Sequence, residues 1–119
     1  MNSYLHLIEI IKKNIMCIQE NQFPMYSYKL QKNINLLLRS IRMYLLQNPT
    51  EKYLKCIIIK LFEIKTLIDK KILLFPNFDS LENMKEMMVA AIISIVHVQY
   101  KFGYINALQR ENFIQTAVR

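Results

Sequence analysis

Among 119 residues there are one glycine, three prolines, two cysteines and no tryptophan. A single glycine excludes a Gly-rich phosphate loop and a collagen-like repeat, since both need several glycines at fixed spacing. Two cysteines cannot build a disulfide framework, which points to a reducing compartment and a cytoplasmic protein. Long apolar runs are missing as well. The longest, Met87 to Val96, contains Ser94 and covers ten residues, whereas a bilayer takes about 20. The first residues have no basic n-region, cleavage motif or unbroken apolar block of the signal-peptide kind. No membrane association is expected.

Acidic residues are scarce too, nine against sixteen Lys plus Arg, for a net charge of +7. The imbalance is local. Residues 28–71 hold ten of the basic residues and only Glu51, Glu63 and Asp69 on the acidic side, while the flanks balance at two against two and four against four. A field of this kind most often meets phosphate, because each neutralised phosphate releases counterions. Lys-rich helix faces that are merely solvated have the same composition.

What the chain does contain is apolar residues, 53% of the total with 21% charged, enough for one core and one domain over residues 1–119. Phe23-Pro24, Asn48-Pro49, Phe75-Pro76-Asn77 and Gly103 divide it into segments of about 3–20, 27–47, 50–74 and 80–102, with a short fifth segment near 107–117. Apolar residues recur at Tyr4, Ile8, Ile11, Ile15 and Ile18 in the first. They recur at Leu30, Ile34, Leu37, Ile41 and Tyr44 in the second, and at Leu54, Ile57, Leu61, Ile64 and Ile68 in the third. Steps of three and four place each set on one helical stripe, where a strand would need period two. The spacing predicts an all-α protein, an antiparallel four-helix bundle with a short C-terminal fifth helix. Asn48 and Asp79 are the expected caps of the third and fourth helices, each with Glu three residues on. Gly103 is expected to end the fourth and Asn106 to cap the fifth.

The fourth segment is apolar nearly all round, so either it is central or its outer face meets another chain. Ala90 and Ala91 would let a neighbouring backbone approach. On the second segment, Lys32, Leu36, Arg39, Met43 and Leu46 lie opposite the core stripe, an unusual mixture for a monomer surface. The third segment turns outward Lys52, Lys55, Ile59, Glu63, Thr66 and Lys70. If the second and third helices are neighbours in a hairpin, they share one basic face, with Lys29, Lys32, Arg39, Arg42, Lys52 and Lys55 as phosphate contacts. Leu36, Met43, Leu46, Ala90 and Ala91 are the expected interface of a homo-oligomer. Tyr26, Tyr28 and Tyr53, near helix starts, either stack bases or pack half-buried.

Catalytic constellations are sparse. His6, His97, Cys17 and Cys56 have no metal-ligand spacing, so a buried thiol and a surface imidazole are the ordinary expectation and no metal or other cofactor is foreseen. Ser94 and His97 share a helical face, but no carboxylate is near in sequence to orient the ring. The chain is read as a non-enzyme without a small-molecule substrate.

From Gln22 to Leu46 a Phe-Pro pair, a short polar step and a long Leu/Ile helix with Lys and Arg follow one another. This stretch resembles the small bacterial four-helix proteins typified by large-subunit rRNA intervening-sequence proteins, a group that includes the accessory variability protein of diversity-generating retroelements. The stretch from Asn48 to Leu74 is similar in length and in its Lys/Leu/Ile character. The resemblance implies an oligomeric basic bundle, a five-membered ring in that family, working beside a reverse transcriptase or other polymerase and its RNA template. The alternative from another class is a protein-binding module without a nucleic-acid role, such as a small inhibitor, an immunity protein or a viral or phage effector. In that case Leu36, Met43 and Leu46 form a partner's docking groove.

Overall fold

Periodic isoleucine and leucine build the core. The computed structural model describes residues 2–19 and 23–119, and the side chains of residues 5–19 and 25–119. It has helices α1 (Asn2–Cys17), α2 (Phe23–Leu45), α3 (Glu51–Leu74), α4 (Asp79–Lys101) and α5 (Ala107–Val118), with no strand among the described residues. The stripes named above are buried from Ile8 to Ile68, joined by Leu81, Met84, Met88, Ile92, Ile95 and Val96 of α4. Tyr4, the first residue of the α1 stripe, lies outside the described side chains. No described helix is long and apolar enough to cross a membrane.

Contacts between helices settle their order. Lys12 Nζ donates to Glu63 Oε2 at 2.6 Å, and Lys71 Nζ donates to the Ile18 carbonyl at 2.8 Å. Equivalent positions of α1 and α3 therefore pair, and the two helices run side by side in the same direction. Ser27 Oγ donates to Ser80 Oγ at 3.2 Å, which sets α2 beside α4 in the same way. The fold is thus two antiparallel hairpins, α1–α2 and α3–α4, laid together with both tips at one end. Around the bundle the order is α1, α2, α4, α3. At the opposite end, Tyr104 Oη donates to the Pro49 carbonyl at 3.2 Å and the Thr50 N–H donates to Tyr44 Oη at 3.1 Å.

This order corrects one expectation. Helices α2 and α3 are consecutive but stand on a diagonal, meeting at their connection through the edge-to-face pair of Tyr44 and Tyr53, centroids 5.9 Å apart. They do not share one basic face along their lengths.

Helix ends follow local chemistry with two further corrections. The cap of α3 is Thr50, extended at φ −90°, with its side chain accepting from the Tyr53 N–H. Asn48 is not the cap, because Pro49 is buried against Tyr104 and lies outside the helix. The cap position of α4 is Phe78, which has no side-chain hydrogen bond to give. Asp79 is instead the first helical residue, where the macrodipole favours its charge. Helix α2 opens at Phe23 rather than near 27, since proline is tolerated in a first turn. Asn106 and Gln109 do form the reciprocal box of α5. Gly103 takes φ +77°, and the Gly103 and Tyr104 N–H groups donate to the Tyr100 and Gln99 carbonyls, closing α4 with a left-handed cap.

The all-round apolar character of α4 has its explanation inside the chain. It packs on α3, α2 and α5. Helix α5 docks through a stack of Phe113 on Phe62 (centroids 6.4 Å apart), through Arg110 lying 4.0 Å over the Tyr100 ring, and through buried Ala117.

Two buried polar residues were not anticipated. Lys65 is buried and pairs with Asp69 Oδ2 at 3.0 Å, while Asp69 Oδ1 lies 3.1 Å from Lys85 Nζ on α4. Gln99 is buried with no partner for its Oε1 among the described residues.

Charge on α1 and α3 is paired across their seam. The hydrogen bond from Lys12 holds the Glu63 carboxyl below its ordinary 4.5, and the same bond holds Lys12 above its ordinary 10.5. The Glu63 contribution to stability is complete above 4.5 and lost as pH falls through the lowered value. That of Lys12 is complete below 10.5 and lost as pH rises through the raised one. Glu63→Gln should therefore flatten the acid limb of stability, by about 1 kcal/mol or less for so open a pair. Denaturation midpoints across the acid range check this, and an unchanged limb would mean that the pair contributes nothing.

Candidate nucleic-acid interface

Helix α2 has Lys29, Lys32, Arg39 and Arg42 and no Asp or Glu from Phe23 to Leu45. All four cations are exposed, and none enters an ion pair among the described residues. Helix α3 differs. Lys55 pairs with Glu51 at 3.2 Å, and Lys60 lies 3.7 Å from Glu9 and 3.8 Å from Glu63. Lys65 is held by Asp69, and Lys71 is on the Ile18 carbonyl with the Phe75 ring 5.5 Å away. Of the α3 cations, Lys52 and Lys70 are exposed without an ion pair among the described residues. The open positive charge of residues 28–71 thus concentrates on α2, because the acidic residues of that stretch all belong to α3 and pair there.

Beside these cations runs a groove. A hollow of about 380 Å³ lies between α2 and α4, with Arg39, Arg42 and Asn35 at its rim and Met87, Ala90 and Ala91 on the α4 wall. A second hollow of about 370 Å³, lined by α2 alone, adjoins it at Asn35 and Arg39 and passes Tyr28, Gln31, Lys32 and Leu36. Ala90 and Ala91 therefore line a groove within the chain, and their small side chains keep it open. Sequence reading assigned Arg39 and Arg42 to one role and the two alanines to another, and the parallel seam of α2 and α4 brings them together. Lys29 lies about 60° round the helix from Lys32 at 3.6 residues per turn, on the shoulder away from the groove. Lys52 and Lys55 are on the diagonal helix.

Leu36 and Met43 of α2 and Leu46 just past its end are exposed, as the helical projection places them. All three tyrosines are exposed, Tyr28 the most, and Tyr53 also packs edge to face on Tyr44. Ser94 Oγ donates to the Ala90 carbonyl at 3.0 Å, and His97 is exposed. Cys17 is exposed at the end of α1 and Cys56 half-buried, so Cys17 is not the buried thiol expected. Its neighbours Ile15 and Ile18 occupy the inward positions instead. His6 is exposed, and no three His, Cys, Asp or Glu side chains converge among the described residues.

An apolar hollow of about 510 Å³ on the α1/α3 side, lined by Met16, Ile59, Phe62 and Leu67, escaped sequence reading. Its residues belong to separate segments, and only their parallel packing joins them. Compared with known proteins, the chain matches no protein-family model, no curated protein and no solved structure.

Proposed function

We propose that the protein is a non-catalytic basic bundle that binds the phosphate backbone of nucleic acid through α2, self-associates, and serves as an accessory to a polymerase in a cytoplasmic setting. The observation that carries the binding reading is a helix of four exposed cations, none in an ion pair among the described residues, with no acidic residue and with two of the cations at the rim of a groove. The polymerase association rests on the resemblance of the Gln22–Leu46 stretch alone. Binding is expected to be tolerant of sequence, because phosphate contacts position a strand without reading its bases.

The test is a salt titration of binding to a labelled oligonucleotide. Four phosphate contacts give a log–log slope of about −3 on a single strand, or about a 50-fold loss between 50 and 200 mM salt. A slope near zero would remove the proposal.

Self-association rests on the exposed Leu36, Met43 and Leu46. Two α2 faces repel each other at low salt, and that repulsion is screened at about 1 M, where the Debye length is about 3 Å. Assembly should therefore strengthen with salt while nucleic-acid binding weakens. Met43→Glu should lower the mass measured by light scattering at high salt. An unchanged mass with retained helicity would assign the row to a different protein or to solvent. The second reading, a protein-binding module, draws on the apolar α1/α3 hollow, which lies away from α2.

A further inference from the structure

The two hollows adjoin at Asn35 and Arg39 to make one path along α2, walled by α4 at its Arg42 end and lined by α2 side chains alone at its Tyr28 end. From Tyr28 to Arg42 it extends about 21 Å at 1.5 Å per residue. One end holds Tyr28, 77% exposed, a flat ring with most of its surface turned to solvent. Its middle carries the amide side chains of Gln31 and Asn35, and its Arg42 end is walled on α4 by the apolar Met87, Ala90 and Ala91 with Ser94 beside them. Lys32, Arg39 and Arg42 stand along the rim.

We propose that this groove takes single-stranded rather than duplex nucleic acid, with bases turned into it and phosphates along the Lys32–Arg39–Arg42 rim. The inference rests on the phosphate-binding reading above and narrows its substrate. In a duplex the base faces are stacked against one another, so neither the Tyr28 ring nor the apolar wall has anything to meet. Base edges of a duplex are read by an element that projects into a groove about 12 Å wide. Helix α2 is instead flanked by α1 and α4, and its polar groups border a concavity. A single strand supplies what the walls lack: exposed base faces for the Tyr28 ring and the alanine–methionine wall, and edge donors and acceptors for Gln31 and Asn35. Arg39 and Arg42 meet phosphate oxygens as two-pronged donors.

The test is fluorescence anisotropy with an unstructured RNA strand of about twelve nucleotides, within the roughly 4–16 that single-strand sites occupy. The same strand annealed to its complement is the duplex probe. The single strand should bind about tenfold more tightly. Tyr28→Ala should weaken it about tenfold, the worth of one stacked base, and leave the duplex unchanged. Ala90→Leu, a good helix former at an exposed position, should narrow the groove and again weaken only the single strand. Circular dichroism of both variants should match the parent. Equal affinity for the two probes, with neither substitution discriminating between them, would overturn the groove assignment and leave backbone binding standing. Absence of binding to both probes would overturn both.

Discussion

Arg39→Glu with Arg42→Glu should weaken oligonucleotide binding about 100-fold or more while leaving helicity intact. Each arginine is exposed, and neither enters an ion pair among the described residues, so the exchange removes no ion pair of the described fold. It lowers the net charge from +7 to +3, and it does so at the rim of one groove rather than across the surface. Two lost phosphate contacts remove about 1.4 from the log–log salt slope, equivalent to about 25-fold at 0.1 M relative to 1 M salt. The two new carboxylates repel the backbone and add to that loss. The informative comparison is Lys52→Glu with Lys55→Glu, which makes the same change in charge on the diagonal helix. Lys55 already pairs with Glu51, and neither residue borders the groove. That variant should lose less than about fivefold. Equal losses in the two double variants, measured by anisotropy at matched salt, would mean that overall charge rather than the α2 groove governs binding.

Ile58→Ala and Ile59→Ala should differ by several kcal/mol although they alter adjacent, identical residues. Ile58 is 3% exposed and packs in the core, whereas Ile59 is 58% exposed beside the α1/α3 hollow. Truncating the first leaves a cavity in a close-packed interior, a loss of about 2–5 kcal/mol. Against a total of about 5–15 kcal/mol that is a large fraction, and the thermal midpoint should fall on the order of 10 °C. Truncating Ile59 should stay within about 0.5 kcal/mol, and the better helix propensity of alanine works in its favour. Chemical denaturation of the two variants side by side checks this. Similar losses would mean that Ile59 is covered in solution, by a second copy of the chain or by a partner.

The pair also marks where one-dimensional reading stops. Leu54, Ile57, Leu61, Ile64 and Ile68 were legible as one stripe, and all five are buried. Ile58 and Lys65, seven residues apart on the flank of that stripe, were not. They are buried because α3 has α4 on one side as well as α1 on another. The heptad step from Ile58 to Lys65 was a usable signal, masked by the charge of Lys65. Along and just past α2, helical projection alone places Lys32, Leu36, Arg39, Met43 and Leu46 outward, and all five are exposed. Placing Ala90 and Ala91 against Arg39 and Arg42 required knowing that α2 and α4 adjoin.

The caps divide along the same line. Asn106 and Gln109 satisfy each other within one turn, and Gly103 closes α4 with neighbouring backbone groups, so sequence sufficed for both. Thr50 replaced Asn48 because Tyr104, 55 residues away, draws the Pro49 carbonyl into a tertiary contact.

By itself the sequence determined the all-α class, the number of helices, the core face of the first three and the surplus of cations on residues 28–71. These depend on 3.6-residue periodicity, turn chemistry and composition, which act over a few residues at a time. Tertiary structure decided which helices touch. The connection over residues 46–50 carries the chain across the bundle, so α2 packs beside α4 while α3 pairs its lysines with carboxylates of α1 and of α3 itself. Charge that is contiguous in sequence is therefore separated in space, partly paired on α3 and left open on α2 among the described residues.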